Sequence, residues 1–536
     1  MASPPPTRRL RPSPRPRGIH LDASEPLSIR PHPYNVRPLG SLLLAAPGEP
    51  HLRASAGALG SLSSLHDELL LRLLSHLDAA SLVACGRASR AMRAFCAAEE
   101  LWKALVIDGT PPAAPLRFAG SWRLTYARRV RADVEEASAI RAPPLYSDAL
   151  FAPWFCGTAA LPRAWSAREN VPRLDGTTLS VADFVRRFES PGVPVVLTNL
   201  ATQWRAYTSW SEQSLRARFG ATLFHVGGLP MALSDFFDYA HSTTDEMPLY
   251  LFDKHFAAAA PPLADEYAVP PHFAPRRDLF ELLPRHARPD HRWLIVGGAR
   301  SGSSWHVDPN ATSAWNACVV GAKKWVLCPP HAPPPGVTPS ADGGSVTCPV
   351  SLYEWFRVFH SSLGEGAREV TLRAGEILFV PRGWWHTAIN LETTVAITQN
   401  YAPRCTAKQV LGFLRAGLSA EESERGLVSG VPDEARADLF HEFERIVRQT
   451  LEQPEEEEMP PLGQGATPSD AAPRRHHGWW RELVPTSAPS APAADLLRGG
   501  VRMCGDAFHS APPSEASDAH AAGEVAPPPT SFRFGF

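Results

Sequence analysis

The sequence lacks the features that mark three common classes of protein. Its eight cysteines include no Cys-x-x-Cys pair, which argues against a structural zinc site and favours free thiols in a reducing compartment. No apolar run approaches the roughly 20 residues that a membrane-spanning helix needs, so we expect no membrane partner. The formal net charge is −2, and no global electrostatic field indicates a nucleic-acid partner.

Length and proline content indicate several segments rather than one core. A chain of 536 residues is too long for a single compact domain, and its prolines crowd both ends. Residues 1–58 are rich in Pro, Arg and Ser and predict a disordered basic tail, whereas residues 454–536 predict a second low-complexity tail. The basic run is also typical of a nuclear import signal or a transit peptide, but a solvated tail is the simpler interpretation. We expect the protein in the nucleus, the cytoplasm or both.

Residues 61–108 predict a helical module. Leucines recur there at helical spacing, at positions Leu69, Leu70, Leu73, Leu74 and Leu77, and the pattern predicts two further helices over residues 82–90 and 91–105. Residues 109–174 form a connector in which Trp122 and Trp154 are expected to anchor against a neighbouring domain. Residues 404–453 predict C-terminal helices, over 407–418 and 433–451.

Residues 175–403 have the texture of short strands joined by tight turns. Strands are predicted over residues 195–197, 248–253, 292–297, 313–320, 324–327, 369–372, 376–380, 385–390 and 394–401. Many short strands separated by tight turns indicate an antiparallel sandwich or barrel. The fold class expected for this segment is therefore mainly β.

One pattern in this segment carries chemistry. The sequence Ser304-Trp305-His306-Val307-Asp308 is followed about 80 residues later by Trp384-Trp385-His386. Residues two apart on a strand point to the same face, so His306 and Asp308 can reach one metal. Two imidazoles and one carboxylate are the facial ligand set of mononuclear iron oxygenases, which leaves coordination positions open. Taken alone, each residue is better explained as an ordinary core or turn residue; together they predict a metal site.

The helical module resembles an F-box over residues 61–108. The resemblance is carried by the order Leu65-His66-Asp67-Glu68-Leu69-Leu70, then Leu77-Asp78, Leu82, Cys85 and Leu101-Trp102. It departs from the family where His66 replaces the usual proline, which would pre-organise the first helical turn. The resemblance implies docking on a Skp-type adaptor of a cullin ubiquitin ligase. The alternative is a plain three-helix bundle that packs on the next domain.

Residues 175–403 resemble the Jumonji C family, in the branch of lysyl-hydroxylases and arginine demethylases. The matching segments are Pro248-Leu249-Tyr250-Leu251-Phe252-Asp253, Gly302 to Pro309, Thr312 to Asn316, Gly321 to Trp325, Val380 to His386 and Ile397 to Tyr401. An F-box ahead of this domain is similar to the order in plant-type F-box proteins of the family. The resemblance implies a cupin-like double-stranded β-helix catalytic domain of the Jumonji C type, flanked by the N-terminal F-box-like module and the C-terminal helices.

The Jumonji C resemblance also implies a set of ligands. Its metal ligands, which are also its catalytic residues, are His306, Asp308 and His386, and they would hold Fe(II). The co-substrate 2-oxoglutarate would place its far carboxylate against Lys323 and Thr398, with Asn316 and Ser303 nearby and Asn400 as a weaker candidate. Dioxygen is the third reactant. A charge-assisted bond from Lys323 would contribute roughly 1.5–3 kcal/mol.

Three functions follow as expectations. The leading one is an Fe(II)- and 2-oxoglutarate-dependent dioxygenase acting on Lys or Arg side chains of a protein substrate, by hydroxylation or N-methyl demethylation. The second is a substrate receptor of a cullin ubiquitin ligase that uses the barrel for recognition. The third, a catalytically inactive barrel, is disfavoured because every required ligand is present in order. The sequence does not choose between hydroxylation and demethylation.

Overall fold

The computed structural model describes residues 29–46, 48–54, 58–135, 142–339, 346–349, 351–416, 431 and 435–451. The predicted tail over residues 454–536 and the basic run near the N-terminus lie outside these residues. In the described part of the chain, no helix is long and apolar enough to cross a bilayer.

Helices lie before, between and after the strands of the β domain in the sequence. They are α1 Asp67–Leu74, α2 Ala79–Cys85, α3 Arg90–Cys96, α4 Glu99–Asp108, α5 Trp122–Val130, α6 Asp148–Thr158, α7 Val181–Phe184, α8 Arg205–Ser209, α9 Glu212–Phe219, α10 Leu233–Ser242, α11 Phe256–Ala259, α12 Pro261–Asp265, α13 Leu352–Val358, α14 Ala407–Ala416 and α15 Arg436–Leu451. Short 3₁₀ turns and one π turn, Val185–Glu189, join some of them.

The strands form two large sheets and two small ribbons. They are β1 Val36–Arg37, β2 Leu145–Tyr146, β3 Arg173–Asp175, β4 Val195–Thr198, β5 Leu223–Val226, β6 Leu229–Ala232, β7 Leu251–Asp253, β8 Arg292–Gly297, β9 Gly302–His306, β10 Ser313–Val320, β11 Ala322–Cys328, β12 Thr338–Pro339, β13 Val346–Thr347, β14 Arg368–Arg373, β15 Glu376–Val380, β16 Trp385–Asn390 and β17 Thr394–Tyr401. The nine-stranded sheet has the order β3-β4-β15-β10-β17-β8-β7-β5-β6, and the four-stranded sheet has the order β14-β11-β16-β9.

The two large sheets pack face to face. Val196, Ala314 and Leu378 of the nine-stranded sheet share one buried apolar cluster with Leu372 and Ala388 of the four-stranded sheet. Alternate residues of a strand point to opposite faces, so one face of each sheet supplies this cluster. The arrangement confirms the predicted mainly β, cupin-like fold with helices before and after it.

The helical module differs from its prediction in where the helices begin and end. The second helix, α2, spans Ala79–Cys85 rather than residues 82–90, because Asp78 caps its start by accepting from the backbone N–H of Ser81. The third predicted helix is two helices, α3 and α4. Ala98 between them has an extended backbone, with ψ of 123°, and the Trp102 indole N–H donates to the Cys96 carbonyl across the break at 2.8 Å.

The module is joined to the β domain by a buried ion pair. Lys103 of α4 lies 3.0 Å from Asp245, which follows α10, and its ammonium also donates to the Met247 carbonyl at 2.8 Å. Asp245 accepts two further bonds, from the Trp122 indole at 2.7 Å and from the Tyr239 hydroxyl at 2.7 Å. Trp122 is fully buried, as expected of an anchor in the connector.

Part of the predicted N-terminal tail is folded onto the protein. Val36–Arg37 pairs in parallel with Leu145–Tyr146, and Val36 and Leu52 are buried. These apolar side chains supply the burial that the surrounding Pro- and Arg-rich sequence lacks. At the other end, α14 and α15 pack on one another in an apolar cluster that includes Phe280.

Candidate metal centre

Two strands of the four-stranded sheet bring the predicted metal ligands together. His306 is the last residue of β9 and pairs directly with His386 of β16, so the two ring centroids lie 4.1 Å apart. Asp308 lies just beyond the end of β9, but its backbone is still extended, with φ of −58° and ψ of 140°, and its side chain returns toward the histidines. Its Oδ1 is 3.8 Å from Nε2 of His386, and one ligand atom from each residue lies within 4.8 Å of the others.

Backbone carbonyls orient both imidazoles. Nδ1 of His306 lies 2.6 Å from the Ser304 carbonyl, and Nδ1 of His386 lies 3.0 Å from the Trp384 carbonyl. A carbonyl only accepts, so Nδ1 carries the proton in each ring and the lone pair is on Nε2. Such a second contact fixes the tautomer and the ring orientation of a metal-binding histidine.

Burial shifts the pKa of each of the three predicted metal ligands. It lowers the pKa of His306 to about 3, with a further contribution from nearby His386, and it lowers the pKa of His386 to about 4. It raises the pKa of Asp308 to about 6. The buried Oδ2 of Asp308 has no hydrogen-bond partner among the described residues. The site therefore holds two neutral imidazoles and one buried carboxyl group whose Oδ2 has no partner among the described residues. These groups fit a bound cation, because a positive charge would replace the interactions with water that the Asp308 carboxylate loses on burial.

The ligands open onto a cavity between the two sheets. It has a volume of about 680 Å³ including its mouth, and the predicted Ser303, Asn316 and Thr398 line it together with the three ligands. Asn316 and Thr398 are direct partners across β10 and β17. The Thr398 hydroxyl donates to the Trp315 carbonyl at 3.0 Å, while Oδ1 of Asn316 is buried without a partner among the described residues.

Lys323 lies beside this cavity rather than on the wall that surrounds it. Its side chain on β11 is buried, with 1% of the residue exposed, and its ammonium donates to the Tyr250 hydroxyl at 2.6 Å. No described carboxylate forms an ion pair with Lys323. A buried ammonium without a counter-charge is costly, so this neighbourhood fits an anionic group such as the far carboxylate of a keto diacid.

Tyr250 and an aromatic wall are the parts of the site that the sequence did not predict. Tyr250 precedes β7, in a segment interpreted only as a strand, although the strand itself begins at Leu251. Phe252, Trp293 and Trp325 line the cavity, and the Trp325 ring centroid is 5.9 Å from that of His386. One feature of the sequence could have identified Tyr250 and Phe252. They are two residues apart, which places them on one face of an extended segment.

Asn400, the weaker candidate, also lines the cavity. Its side-chain amide donates to the Thr312 hydroxyl at 3.0 Å. The matched motifs contain three buried tryptophans, Trp305, Trp315 and Trp385, and a fourth, Trp384, whose indole donates to the Gly192 carbonyl at 2.9 Å. None of these four lines the cavity.

Comparisons with known proteins agree with this geometry. A model described as a Cupin-like domain matches residues 181–407, and an F-box-like model matches residues 62–108. "Arginine-specific demethylase JMJ22" of Arabidopsis thaliana is 41% identical over 423 residues, covering 78% of this chain and 81% of that protein. "Bifunctional arginine demethylase and lysyl-hydroxylase psr-1" of Caenorhabditis briggsae is 37% identical and covers 44% and 62% of the two chains.

A third relative is more distant. The human "2-oxoglutarate and iron-dependent oxygenase JMJD4" is 28% identical over 275 residues, covering 46% of this chain and 64% of that protein. Imidazole and carboxylate ligands with open positions suit Fe(II), and the buried ammonium of Lys323 suits 2-oxoglutarate. The chain therefore belongs to the Jumonji C family of cupin-like, Fe(II)- and 2-oxoglutarate-dependent oxygenases and carries an F-box-like module ahead of its oxygenase domain.

Proposed function

We propose that this protein oxidises Lys or Arg side chains of a protein substrate, either by hydroxylating a side-chain carbon or by removing an N-methyl group. The observation that carries the proposal is the convergence of His306, Asp308 and His386 within 4.8 Å at the wall of one cavity. The printed activities of the relatives, arginine demethylation and lysyl hydroxylation, supply the substrate class. Residence in the nucleus, the cytoplasm or both is part of the proposal and can be tested by imaging the full chain.

The two imidazoles and the carboxylate would hold Fe(II). When bound, Fe(II) and 2-oxoglutarate together activate O2, with release of succinate and CO2 and transfer of one oxygen atom to the substrate. The carbonyls of Ser304 and Trp384 keep Nε2 of each histidine unprotonated and aimed inward. A bound cation would lower the pKa of Asp308 below about 6, because a nearby positive charge favours the carboxylate.

The remaining polar residues would position the co-substrate. Lys323 and Tyr250 form a buried donor pair, and Thr398 and Asn316 face the cavity from adjacent strands. The apolar rings of Phe252, Trp293 and Trp325 on the cavity wall would limit the water that reaches the reacting centre and so would strengthen each polar interaction inside it. Positioning and exclusion of water are the contributions that a protein makes to a cofactor-driven reaction.

Mass spectrometry of peptides tests this proposal. Peptides that carry Lys, Arg or their N-methyl forms are incubated with the full chain, Fe(II), 2-oxoglutarate and O2. A gain of one oxygen indicates hydroxylation, and loss of a methylene indicates demethylation; either supports the proposal if it requires 2-oxoglutarate and disappears in His306→Ala. His225→Ala, at an exposed histidine outside the cavity, is the matched control. Modification that survives in His306→Ala would contradict it.

A second function is favoured by the surface of the helical module. Leu69 and Leu73 of α1 are 50% and 53% exposed, whereas Leu70 and Leu74 on the same helix are buried. Exposed leucines one turn apart suit a protein partner, and we propose that this face binds a Skp-type adaptor of a cullin ubiquitin ligase. The two functions are compatible in one chain, because the face and the cavity use different residues.

Co-purification tests the adaptor proposal. Leu69→Asp is expected to abolish binding of a purified Skp-type adaptor and to leave the melting temperature unchanged, because the side chain is already half exposed. Val130→Asp, at an exposed apolar position of α5, is the control and should bind like wild type. Equal binding by wild type and Leu69→Asp would exclude this face as the adaptor site.

A further inference from the structure

An ion pair lies at the boundary between the cavity and a neighbouring groove. Asp290 lines both, and its carboxylate is 2.6 Å from the ammonium of Lys254. The two side chains are 34% and 44% exposed. An ion pair this exposed contributes little to stability, so either partner can exchange for a charged group of a ligand.

On the cavity side, Asp290 is one of two carboxylates on the described wall, and the other is the predicted metal ligand Asp308. Phe252 and Trp293 line the same wall, with ring centroids 5.4 Å apart and planes inclined by 32°. A carboxylate beside aromatic faces favours a cation, through charge pairing and through the negative face of each ring. Ammonium, guanidinium and their N-methyl forms have this chemistry.

On the other side, the groove is basic. It is lined by Lys254, Arg285, Arg288, His291 and Arg292, with Asp290 as the acidic residue of its lining.

The three arginines of the groove differ in whether they form ion pairs. Arg288 already pairs with Asp278, at 3.1 Å, and with Glu281. No described carboxylate forms an ion pair with Arg285 or Arg292. A groove with this unbalanced positive charge fits an anionic side chain.

Backbone pairing fixes the groove relative to the site. The Asn400 N–H donates to the His291 carbonyl at 2.7 Å, and Trp293 is the direct partner of Thr398 across β8 and β17. Asn400 and Thr398 both line the cavity. The groove therefore begins where the cavity wall ends, and a short extended peptide can reach both.

We infer that Asp290 binds the cationic target side chain and releases Lys254, which together with Arg285 and Arg292 binds an acidic side chain close to the target. The inference rests on the proposed function and narrows its substrate class to Lys or Arg residues with an anionic neighbour. Aspartate, glutamate and phosphoserine share the required charge. Binding leaves both Asp290 and Lys254 paired, because Asp290 exchanges one cation for another while Lys254 gains a new anion.

Peptide binding tests the inference independently of turnover. Fluorescent peptides with one Lys or Arg, in a Gly and Ser context, carry Glu, phosphoserine, Ser or Lys at the neighbouring positions. Fluorescence anisotropy with the full chain, Mn(II) in place of Fe(II) and no O2 should give at least tenfold tighter binding for the Glu or phosphoserine peptides than for the Lys-flanked peptide. Tighter binding by only one of the two anionic peptides identifies which acid the groove prefers. Equal affinity for all four flanks would overturn the inference.

Charge variants locate the effect. Lys254→Glu and Arg285→Glu should each remove or reverse the preference for an acidic flank, while Arg131→Glu, at an exposed arginine paired with Asp133, should leave it intact. Asp290→Asn should weaken binding of Lys and Arg peptides relative to a peptide with norleucine at the target position, and Asp133→Asn should not. An acidic-flank preference that persists in Lys254→Glu and Arg285→Glu would refute the assignment.

The proposed function fails in a different way. If peptides bind with the expected charge preference but acquire neither an oxygen nor a demethylation under turnover conditions, the inference about recognition stands and the proposed reaction does not. If peptides are modified regardless of their flanking charge and with equal affinity, the reaction stands and the inference does not.

Discussion

His306 and His386 are direct neighbours across the β9–β16 ladder although about 80 residues separate them in the sequence. The register shifts between His386 and Ala388, so the pairing that places both rings over the cavity is local to this end of the ladder. Because side chains alternate between faces, a slip of one residue would turn one imidazole away from the other. The metal site therefore depends on sheet register as much as on residue identity.

Removing either histidine should abolish metal binding. We expect His306→Ala and His386→Ala to weaken binding of Mn(II), measured by anaerobic calorimetry, by at least 100-fold, since each removes one of three protein ligands. His225→Ala should bind like wild type. Wild-type affinity in His306→Ala would show that the metal binds elsewhere.

Lys323→Ala should act on the co-substrate and not on the metal. Loss of a charge-assisted bond worth roughly 1.5–3 kcal/mol corresponds to about a 10- to 100-fold weaker affinity for 2-oxoglutarate, while Mn(II) affinity stays unchanged. Tyr250→Phe removes the hydroxyl that Lys323 contacts and should give a smaller loss. Titration of 2-oxoglutarate into the Mn(II)-loaded protein measures both, and an unchanged affinity in Lys323→Ala would remove that residue from the co-substrate site.

Glu99 should make stability depend on pH. Burial raises its pKa to about 7, whereas an unfolded glutamate titrates near about 4.3. Between these values the folded state keeps a proton that the unfolded state has lost, so the free energy of unfolding falls as the pH rises through this window. Glu99→Gln keeps an acceptor for the backbone N–H of Trp122 and should be more stable than wild type by about 1–2 kcal/mol at pH 8 but not at pH 4. Urea unfolding at both values provides the measurement, and equal differences would exclude Glu99 as the source.

Lys103→Ala should destabilise the whole chain. It leaves the carboxylate of Asp245 buried without its cation, which typically costs about 3–5 kcal/mol. Arg131→Ala removes an exposed ion pair and should change stability by less than about 0.5 kcal/mol. If thermal unfolding of Lys103→Ala matched that of Arg131→Ala, the joint between the helical module and the β domain would be weaker than its geometry indicates.

Three strands of the cavity wall could be predicted from the sequence because they are buried along almost their whole length. The segments over residues 292–297, 313–320 and 394–401 are continuous runs of β-forming residues bounded by turn residues, and the observed strands have the same limits. No strand was predicted over Gly302–His306, which carries the ligand His306, and its first three residues are only partly buried. The strands Leu223–Val226 and Leu229–Ala232 were missed, since the first alternates exposed and buried residues and the second contains Pro230, which disfavours a strand assignment.

The metal ligands could be predicted from the sequence for a different reason. The spacing of His306 and Asp308 reflects the two-residue period of an extended chain, which is a local property. Tyr250 and Asp290 could not be identified in this way, because their roles arise from partners that are distant in the sequence, Lys323 and Lys254. Contacts of that kind become visible only when the strands are assembled.

The joint at Lys103 and Asp245 has a geometric consequence. A domain linked by a solvated tether samples many orientations, but one whose connecting charges are enclosed has a single docking pose. A protein bound to the face around Leu69 and Leu73 would be held at a fixed distance and in a fixed orientation relative to the mouth of the cavity. The enzyme would then modify only those regions of its bound partners that this fixed offset can reach.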